Sequence, residues 1–303
     1  MAKILICDHV EVEKLALGPG VMVDYRPTIT RDELLSVAGE YDAFIIRSRT
    51  KVDREVLERA TRLKLVARPG TGLDNVDVEF AKSKGVNVIN SPESLVESVA
   101  EHVVLLMLAL SRKLVVADAS TKGGKWEKSA LMGTELKGKV LGVVGLGRIG
   151  KRIAEIARTL GMSVLFYDVI EIPPEVRESL GARVVSLDEL FSTSDYITLH
   201  VPMTPQTVHM VGASRFAQMK KTAFLVNTSR GGVIDEEALV AALREGRIGG
   251  AALDVFEKEP PAGPILSVPN AILTPHIGGQ TEEAQADAIV VIGEKVRAFF
   301  SSG

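Results

Sequence analysis

Three polar residues in the C-terminal half have the chemistry needed to bind an organic acid and to move a proton. Arg230, Glu259 and His276 each stand shortly after an apolar run of strand length. A guanidinium binds a carboxylate through two parallel hydrogen bonds, and the glycines after Arg230 would let a ligand approach. Histidine is the residue type best suited to exchange a proton in an active site, so His276 is the candidate acid or base, and Glu259 could hydrogen-bond its second ring nitrogen and favour the imidazolium. Taken singly, each is more often a solvated loop residue, so the hypothesis depends on the combination.

A glycine-rich turn earlier in the chain predicts a dinucleotide site. The apolar run Lys139–Val144 leads directly into Gly145-Leu146-Gly147-Arg148-Ile149-Gly150, and a helical pattern continues to Leu160. In this order the first glycine suits a tight turn, the second lets the backbone approach a pyrophosphate, and the third lets helix and strand pack closely. Asp168 ends the next predicted strand, where a carboxylate can bind a ribose and repel a 2′-phosphate. The predicted cofactor is therefore NAD.

Together, these two features suit hydride transfer between a 2-hydroxy acid and a nicotinamide ring. Arg230 would bind the substrate carboxylate, His276 would act as acid or base, and Glu259 would support His276. Asp254 ends a further predicted strand and could orient the nicotinamide carboxamide. We therefore predict an NAD-dependent oxidoreductase that acts on a small 2-hydroxy or 2-keto acid, with no metal in its site.

Strands and helices that alternate along the chain must position these residues. The N-terminal strand patterns end in polar loops at 47–50 and 68–75, and the alternation resumes after Asp168 up to a last helix near 281–300. Such alternation predicts parallel sheets flanked by helices, whose ligands bind beyond the carboxyl ends of the strands. The predicted fold is α/β with two domains, a Rossmann dinucleotide domain inserted into a flavodoxin-like substrate domain. The predicted boundaries are 1–95 and 283–303 for the substrate domain, and 96–282 for the NAD-binding domain.

The two N-terminal loops are the predicted walls of the substrate site. Both carry arginines, and a doubly charged phosphate on a substrate would need several cations. The arginines could instead form surface ion pairs within the protein. The predicted substrate-binding residues are Arg47, Ser48, Arg49, Arg68, Gly70, Thr71 and Gly72.

Composition argues against several other classes of protein. The formal net charge of −3 shows no basic bias, so nucleic acid is not an expected partner. The single cysteine, Cys7, allows neither an intramolecular disulfide nor a cysteine-based zinc site. The longest uninterrupted apolar run, Val103–Leu110, is too short to cross a membrane, and the N-terminus lacks the pattern of a signal peptide. These features predict a soluble, cytoplasmic protein.

A long helix that is apolar around much of its circumference follows the N-terminal region. The pattern begins near Glu93 or Ser98 and continues to Ala117, and such a helix must be buried on several faces. We interpret it as a link between the domains that also meets a second subunit. A homodimer formed through the nucleotide-binding domain is therefore expected. The next segment, Thr121–Lys137, is predicted to be irregular.

Four segments resemble the D-isomer-specific 2-hydroxyacid dehydrogenase family, and the similarity covers essentially the whole chain. They are Val143–Gly150, Asn227–Gly232, Ala252–Pro260 and Pro275–Gly279. The resemblance implies a substrate-binding Arg230, an acid/base His276 and a supporting Glu259. The predicted cofactor-binding residues, from the glycine turn, the strand ends and this resemblance, are Thr71, Gly145, Gly147, Arg148, Ile149, Gly150, Asp168, His200, Val201, Pro202, Thr207, Thr228, Ser229, Arg230, Asp254, His276, Gly278 and Gly279.

Two further segments, Arg68–Asp77 and Leu131–Leu136, are similar to those of family members that oxidise a phosphorylated 2-hydroxy acid. The resemblance implies NAD-dependent oxidation of such an acid. Two alternatives stay open: a glyoxylate or hydroxypyruvate reductase that uses the same site without the phosphate, and an NADH-sensing binding protein built on this fold. Because the sequence ends at Gly303, we expect no C-terminal regulatory domain of the kind that many such members carry.

Overall fold

The computed structural model describes residues 1–301, which fold into two compact α/β units. Met1–Val96 and the residues from Gly279 onward form one of them, called here the terminal unit. Glu97–Gly278 form the other, called here the central unit. The chain crosses between the units after Val96 and after Gly278, beside the positions near 95 and 282 that the sequence indicates.

A parallel sheet organises the terminal unit. Its strands are β1 (Ala2–Ile6), β2 (Val21–Tyr25), β3 (Ala43–Ile45), β4 (Leu65–Arg68) and β5 (Asn87–Asn90). They lie in the order β2-β1-β3-β4-β5, and every neighbouring pair is parallel. This is the flavodoxin-like strand order.

A second parallel sheet organises the central unit. Its strands are β6 (Val140–Val144), β7 (Ser163–Tyr167), β8 (Ala182–Val184), β9 (Tyr196–Leu199), β10 (Phe224–Asn227), β11 (Gly250–Leu253) and β12 (Ala271–Leu273). They lie in the order β12-β11-β10-β9-β6-β7-β8. Because the order reverses at β6, this is a Rossmann sheet with one extra edge strand. The predicted fold class is confirmed.

Helices connect the parallel strands in both units. They are α1 (Val12–Leu15), α2 (Arg31–Val37), α3 (Arg54–Arg59), α4 (Val78–Ser83), α5 (Val96–Ser111), α6 (Leu114–Lys122), α7 (Arg148–Thr159), α8 (Pro174–Leu180), α9 (Leu187–Thr193), α10 (Ala213–Gln218), α11 (Glu236–Arg244) and α12 (Glu282–Ser301).

Alternate residues along the strands face opposite sides of each sheet, and each side has its own apolar core. In the terminal unit, Leu5 packs with residues of α2, α3 and α4, whereas Ile4 packs with residues of α1 and α12. In the central unit, Val143 packs with residues of α5 and α7, whereas Val144 packs with residues of α9, α10 and α11. Strands buried on both faces explain why their sequences read as continuous apolar runs.

The structure differs from the predicted elements mainly near residue 112. The sequence predicts one helix up to Ala117, but α5 ends at Ser111 and α6 begins at Leu114. Lys113 has a φ of 51°, a left-handed conformation that interrupts the α-helix, so the prediction of a single helix is wrong. The sequence analysis also does not predict α8 and α10.

One stretch, Pro92–Ser111, is long and apolar enough to cross a membrane, with a mean hydropathy of 1.6. The core helix of a soluble protein passes the same test, and half of this window is buried within the structure. The buried residues include Val103, Leu106 and Leu110, which belong to the core of the central unit. Burial within that unit accounts for the apolar character of the helix.

We expect Gly293→Ala to destabilise the protein, although alanine is the better helix former. Gly293 of α12 packs directly against the backbone of Leu15, and an added Cβ would overlap the Leu15 carbonyl oxygen. Overpacking of this kind costs about 1–3 kcal/mol, more than the gain of up to ~1 kcal/mol in helix propensity. Thermal unfolding should show a midpoint several degrees lower. The exposed neighbour variant Glu294→Ala should unfold like the wild type, and an unchanged Gly293→Ala midpoint would show that this contact is loose.

Candidate active site

The three residues predicted to carry the chemistry follow three neighbouring strands of the central sheet. Arg230 follows β10, Glu259 follows β11 and His276 follows β12. These strands lie side by side and run parallel, so the loops after them leave the sheet at one edge. The turn after β6 leaves at the same edge, because β6 and β10 both pair in parallel with β9. The glycine turn and the three polar residues therefore belong to loops at one edge of the sheet.

His276 and Glu259 form a hydrogen-bonded pair, with 3.0 Å between His276 Nδ1 and Glu259 Oε2. Because a carboxylate only accepts, Nδ1 carries the proton in this pair and Nε2 is left for a ligand. Both side chains remain accessible, with 54% of His276 and 41% of Glu259 exposed. An accessible imidazole with a carboxylate on its far nitrogen can accept and release a proton at Nε2.

A buried carboxylate, Asp254, holds the segment Thr274–Gly278, called here the histidine loop because it carries the predicted acid/base residue. Asp254 accepts hydrogen bonds from Thr274 Oγ1 at 2.5 Å, from the Ile277 amide at 2.9 Å and from the Gly278 amide at 2.7 Å. Burial by itself raises the pKa of Asp254, but hydrogen bonds from a histidine and from this loop outweigh burial, so its pKa lies below the ordinary value. The sequence analysis assigned Asp254 only to the cofactor and missed its support of the loop.

Close backbone contact shapes the loop that carries Arg230. Gly231 packs against the backbone of Phe256 and Glu257, and a Cβ there would overlap their atoms. Asn227 donates from Nδ2 to the carbonyl oxygen of Arg230 at 2.9 Å. From the sequence, this glycine was expected to give a ligand access. In the structure, Gly231 instead allows close contact with the neighbouring loop. An asparagine at the end of a buried strand is the signal that could have identified this support.

The glycine turn has the geometry that a phosphate-binding turn needs. Gly145 has a φ of 92° and lies against the backbone of His200. A Cβ at Gly150 would overlap the Gly145 carbonyl oxygen, so only glycine allows α7 to begin this close to β6. At Gly147, the N-cap of α7, an added Cβ would meet open space. The amides at the start of α7 thus face room that a phosphate could occupy.

Asp168 fixes the glycine turn through its own hydrogen bonds. It accepts from the Leu146 amide at 2.7 Å and from the Ile170 amide at 2.9 Å. Each carboxylate oxygen has a second lone pair, so acceptor capacity for ribose hydroxyls remains. Asp168 also lines a cleft of about 340 Å³ together with Ile170 and Arg177. This cleft has the apolar and polar walls that an adenosine would need.

The remaining predicted cofactor residues of the central unit differ in whether their polar groups already have hydrogen-bond partners within the protein. Thr228 Oγ1 is buried and has no hydrogen-bond partner among residues 1–301, which fits a polar contact to a bound cofactor. Thr207 Oγ1 instead donates to the Pro202 carbonyl at 2.6 Å and so closes its own turn. Burial lowers the pKa of His200 to about 3, so its ring is neutral. The other predicted residues of these loops are Arg148, Ile149, Val201 and Ser229.

In the terminal unit, Arg49 is engaged by the protein itself. Its Nε lies 2.9 Å from Asp8, whose side chain is only 4% exposed. The same guanidinium donates to three carbonyl oxygens, those of Cys7, Pro27 and Ile29. With four of its five N–H donors engaged within the protein, Arg49 serves as a structural cation. This matches the alternative that the sequence left open, an ion pair within the protein.

The other predicted substrate-binding residues differ from Arg49 in their surroundings. Arg68 donates from Nη2 to Ser48 Oγ at 3.0 Å. Arg47 donates to Gln285 Oε1, and burial lowers the pKa of Arg47 below its ordinary value. Thr71 Oγ1 is buried without a hydrogen-bond partner among the described residues. The neighbouring Gly70 has a φ of 132° and Gly72 follows Thr71, while Gly279 opens the last segment of this unit.

Comparison with known proteins identifies the family. Residues 104–278 match the family described as D-isomer specific 2-hydroxyacid dehydrogenase, NAD binding domain. The chain belongs to this family. Its central unit thus carries the family's NAD-binding domain, and NAD is the cofactor that Asp168 and the glycine turn predicted.

Individual relatives show how far the similarity extends. The chain is 46% identical over 300 residues to D-3-phosphoglycerate dehydrogenase of Methanocaldococcus jannaschii, covering 98% of this chain and 57% of that protein. The chain therefore spans little more than half of that relative's length. It is 45% identical over 272 residues to hydroxypyruvate reductase of Thermotoga maritima, covering 88% of each protein. A glyoxylate reductase structure from Paecilomyes thermophila is 31% identical with a TM-score of 0.91, covering 98% of this chain and 94% of that one.

We expect Asp168→Asn to relax the preference for NADH over NADPH. The substitution removes the negative charge beside the position predicted for the ribose, and with it the repulsion of a 2′-phosphate. The ratio of the two dissociation constants, measured by calorimetry, should shift about tenfold toward NADPH, which corresponds to ~1.4 kcal/mol. Asp188→Asn, an exposed carboxylate on α9, serves as the matched control and should leave the ratio unchanged. An unaltered ratio in Asp168→Asn would remove Asp168 as the selectivity residue.

Proposed function

We propose that this family member catalyses the NAD-dependent oxidation of 3-phospho-D-glycerate to 3-phosphohydroxypyruvate, a reaction of serine biosynthesis. The hydrogen bond between His276 and Glu259, at the sheet edge that also carries the glycine turn, is the observation on which the redox chemistry depends. Relatives named D-3-phosphoglycerate dehydrogenase, which are 41–46% identical, support the choice of substrate.

The side chains suit the two transfers that this oxidation requires. Bound NAD supplies the hydride acceptor for the hydrogen on C2 of the substrate. His276 Nε2 takes the proton of the C2 hydroxyl, while Glu259 accepts from Nδ1–H and stabilises the imidazolium that forms. Arg230 binds the C1 carboxylate through two hydrogen bonds and so orients C2. In the reverse direction, His276 returns the proton to the keto oxygen.

The phosphate of the proposed substrate requires cations beyond Arg230. We propose that Arg68 and Arg47 of the terminal unit supply them, with Thr71 as a neutral donor. The buried Thr71 hydroxyl, which has no hydrogen-bond partner among the described residues, supports this assignment. Arg49 is left out of the proposed set, because Asp8 and three carbonyl oxygens already occupy its guanidinium.

A second candidate function is reduction of hydroxypyruvate or glyoxylate in the same site. The match to the hydroxypyruvate reductase of Thermotoga maritima, over 88% of both proteins, favours it. This reaction uses the same hydride and proton transfers without a phosphate. The two candidates therefore differ in the need for cations on the terminal unit.

We also propose that the protein works as a cytoplasmic homodimer that associates through the central unit. Several large apolar side chains of α5 and α6 are exposed, and a group of this kind typically marks an association surface. They are Leu105, Leu108, Leu114, Val115 and Val116.

We expect His276→Asn to abolish turnover while NADH still binds. Asparagine cannot take up a proton at neutral pH, so the hydroxyl proton has no acceptor and kcat should fall at least about 100-fold. NADH affinity, measured by calorimetry, should change less than about twofold. His9→Asn, an exposed histidine of the terminal unit, is the matched control and should keep full kcat. Retention of the wild-type rate at every pH by His276→Asn would rule out the acid/base assignment.

We expect Arg68→Ala to separate the two candidate functions. For a phosphoglycerate dehydrogenase, KM for 3-phosphohydroxypyruvate should rise about tenfold or more, whereas KM for hydroxypyruvate should stay nearly constant, since a charge-assisted contact of ~1.5–3 kcal/mol is lost. Arg31→Ala, an exposed arginine on α2, is the control. Equal efficiency of the wild type with both keto acids, and equal effects of Arg68→Ala on them, would favour the hydroxypyruvate reductase.

A further inference from the structure

Two polar residues on the apolar helix α5 contact the histidine loop. Ser98 Oγ donates to the Gly278 carbonyl oxygen at 2.7 Å, in a buried hydrogen bond. One turn later, His102 Nε2 lies 3.3 Å from Thr274 Oγ1 and 3.5 Å from Asp254 Oδ1. Residues four apart lie on one face of a helix, so one face of α5 contacts both ends of the loop.

The contacts determine which ring nitrogen of His102 carries a hydrogen. Thr274 donates its hydroxyl hydrogen to Asp254 Oδ1 at 2.5 Å, so the hydroxyl presents only lone pairs to His102. The Asp254 carboxylate is also an acceptor. His102 therefore carries its hydrogen on Nε2 and donates it toward the Thr274 hydroxyl and the carboxylate behind it. The ring is only 11% exposed, which protects this arrangement from water.

The histidine loop needs such support because of its backbone conformation. His276 has a φ of 55°, in the left-handed region that non-glycine residues rarely adopt. Such a conformation is strained and persists only where surrounding contacts over-determine it. Asp254, which directly follows β11, and Ser98 and His102 of α5 supply these contacts.

We infer that His102 and Ser98 are positioning residues, which hold the histidine loop so that His276 meets Glu259 and the substrate correctly. This inference rests on the proposed function, in which His276 exchanges the substrate proton. The physical basis is that a displacement of about 1 Å at a reacting group can lower a rate by roughly 100-fold.

A role for His102 in packing alone predicts different behaviour. Buried apolar residues of α5, among them Val99 and Val103, lie beside His102, and leucine is an apolar side chain of similar size. Leucine, however, removes the donor that faces Thr274 and Asp254. Glutamine keeps an N–H donor at a similar reach. The pair His102→Leu and His102→Gln therefore separates packing from hydrogen bonding.

The test uses the full chain with NAD and four variants, His102→Leu, His102→Gln, Ser98→Ala and the exposed-neighbour control Glu101→Gln. The measurements are kcat and its solvent deuterium isotope effect, the dissociation constant for NADH, and the midpoint of thermal unfolding. Ring ¹⁵N chemical shifts of His276 are recorded without substrate, which is practical because the chain has five histidines. These shifts report the Nδ1–H tautomer bound to Glu259, whether or not the proposed substrate is correct.

His102→Leu should lower kcat by roughly tenfold to 100-fold, raise the solvent isotope effect and mix the tautomers of His276, with NADH affinity changed less than about twofold. His102→Gln should regain most of the rate, Ser98→Ala should fall between, and Glu101→Gln should match the wild type.

Unchanged kcat and unchanged His276 shifts in His102→Leu would overturn the inference. A parallel fall of kcat, NADH affinity and unfolding midpoint in both His102 variants would also overturn it, since that pattern marks general destabilisation. Failure of the wild type to oxidise any 2-hydroxy acid would refute the proposed function, while the shifts would still decide the positioning role.

Discussion

The buried carboxylate of Asp254 is the interaction on which the candidate site depends. A carboxylate out of water is stable only when hydrogen-bond donors replace its hydration. Here the histidine loop supplies three donors, one hydroxyl and two amides, and α5 contributes His102. Because the Asp254 carboxylate needs hydrogen-bond donors, the backbone of the histidine loop is held close to it. The exposed pair formed by His276 and Glu259 is placed by a charge that is itself hidden from solvent.

Parallel strands and close backbone contacts set the rest of the site. All strands of the central sheet deliver their following loops to one edge, so residues distant in sequence become neighbours. Gly231 then lets the loops after β10 and β11 touch, and Gly150 lets α7 begin directly against the turn after β6. Both glycines act by leaving out a side chain where two backbones meet.

In the terminal unit, a buried carboxylate gives one of three arginines a structural role. Arg47, Arg49 and Arg68 carry the same charge and lie in two neighbouring loops, and the side chain of Arg49 pairs with the buried carboxylate of Asp8. Asp8 is enclosed by its unit and needs a cation and several donors, which ties Arg49 to the fold. The charge of Arg49 is thus partly neutralised within the protein before any ligand binds. The number of arginines in these two loops is therefore larger than the number that we propose for the substrate.

Properties that depend on local sequence were predictable from the sequence alone. The alternating apolar runs indicated two helix-flanked parallel sheets, and the spacing of three glycines with Asp168 indicated NAD, because turn geometry and strand burial leave their pattern in consecutive residues. The helix break at Lys113 was missed, since no proline or glycine marks it. Only the tertiary structure decided the roles of Asp254, Gly231 and Arg49. Their partners lie 20 or more residues away in the sequence. A local sequence pattern does not indicate which distant backbone or carboxylate a side chain will contact.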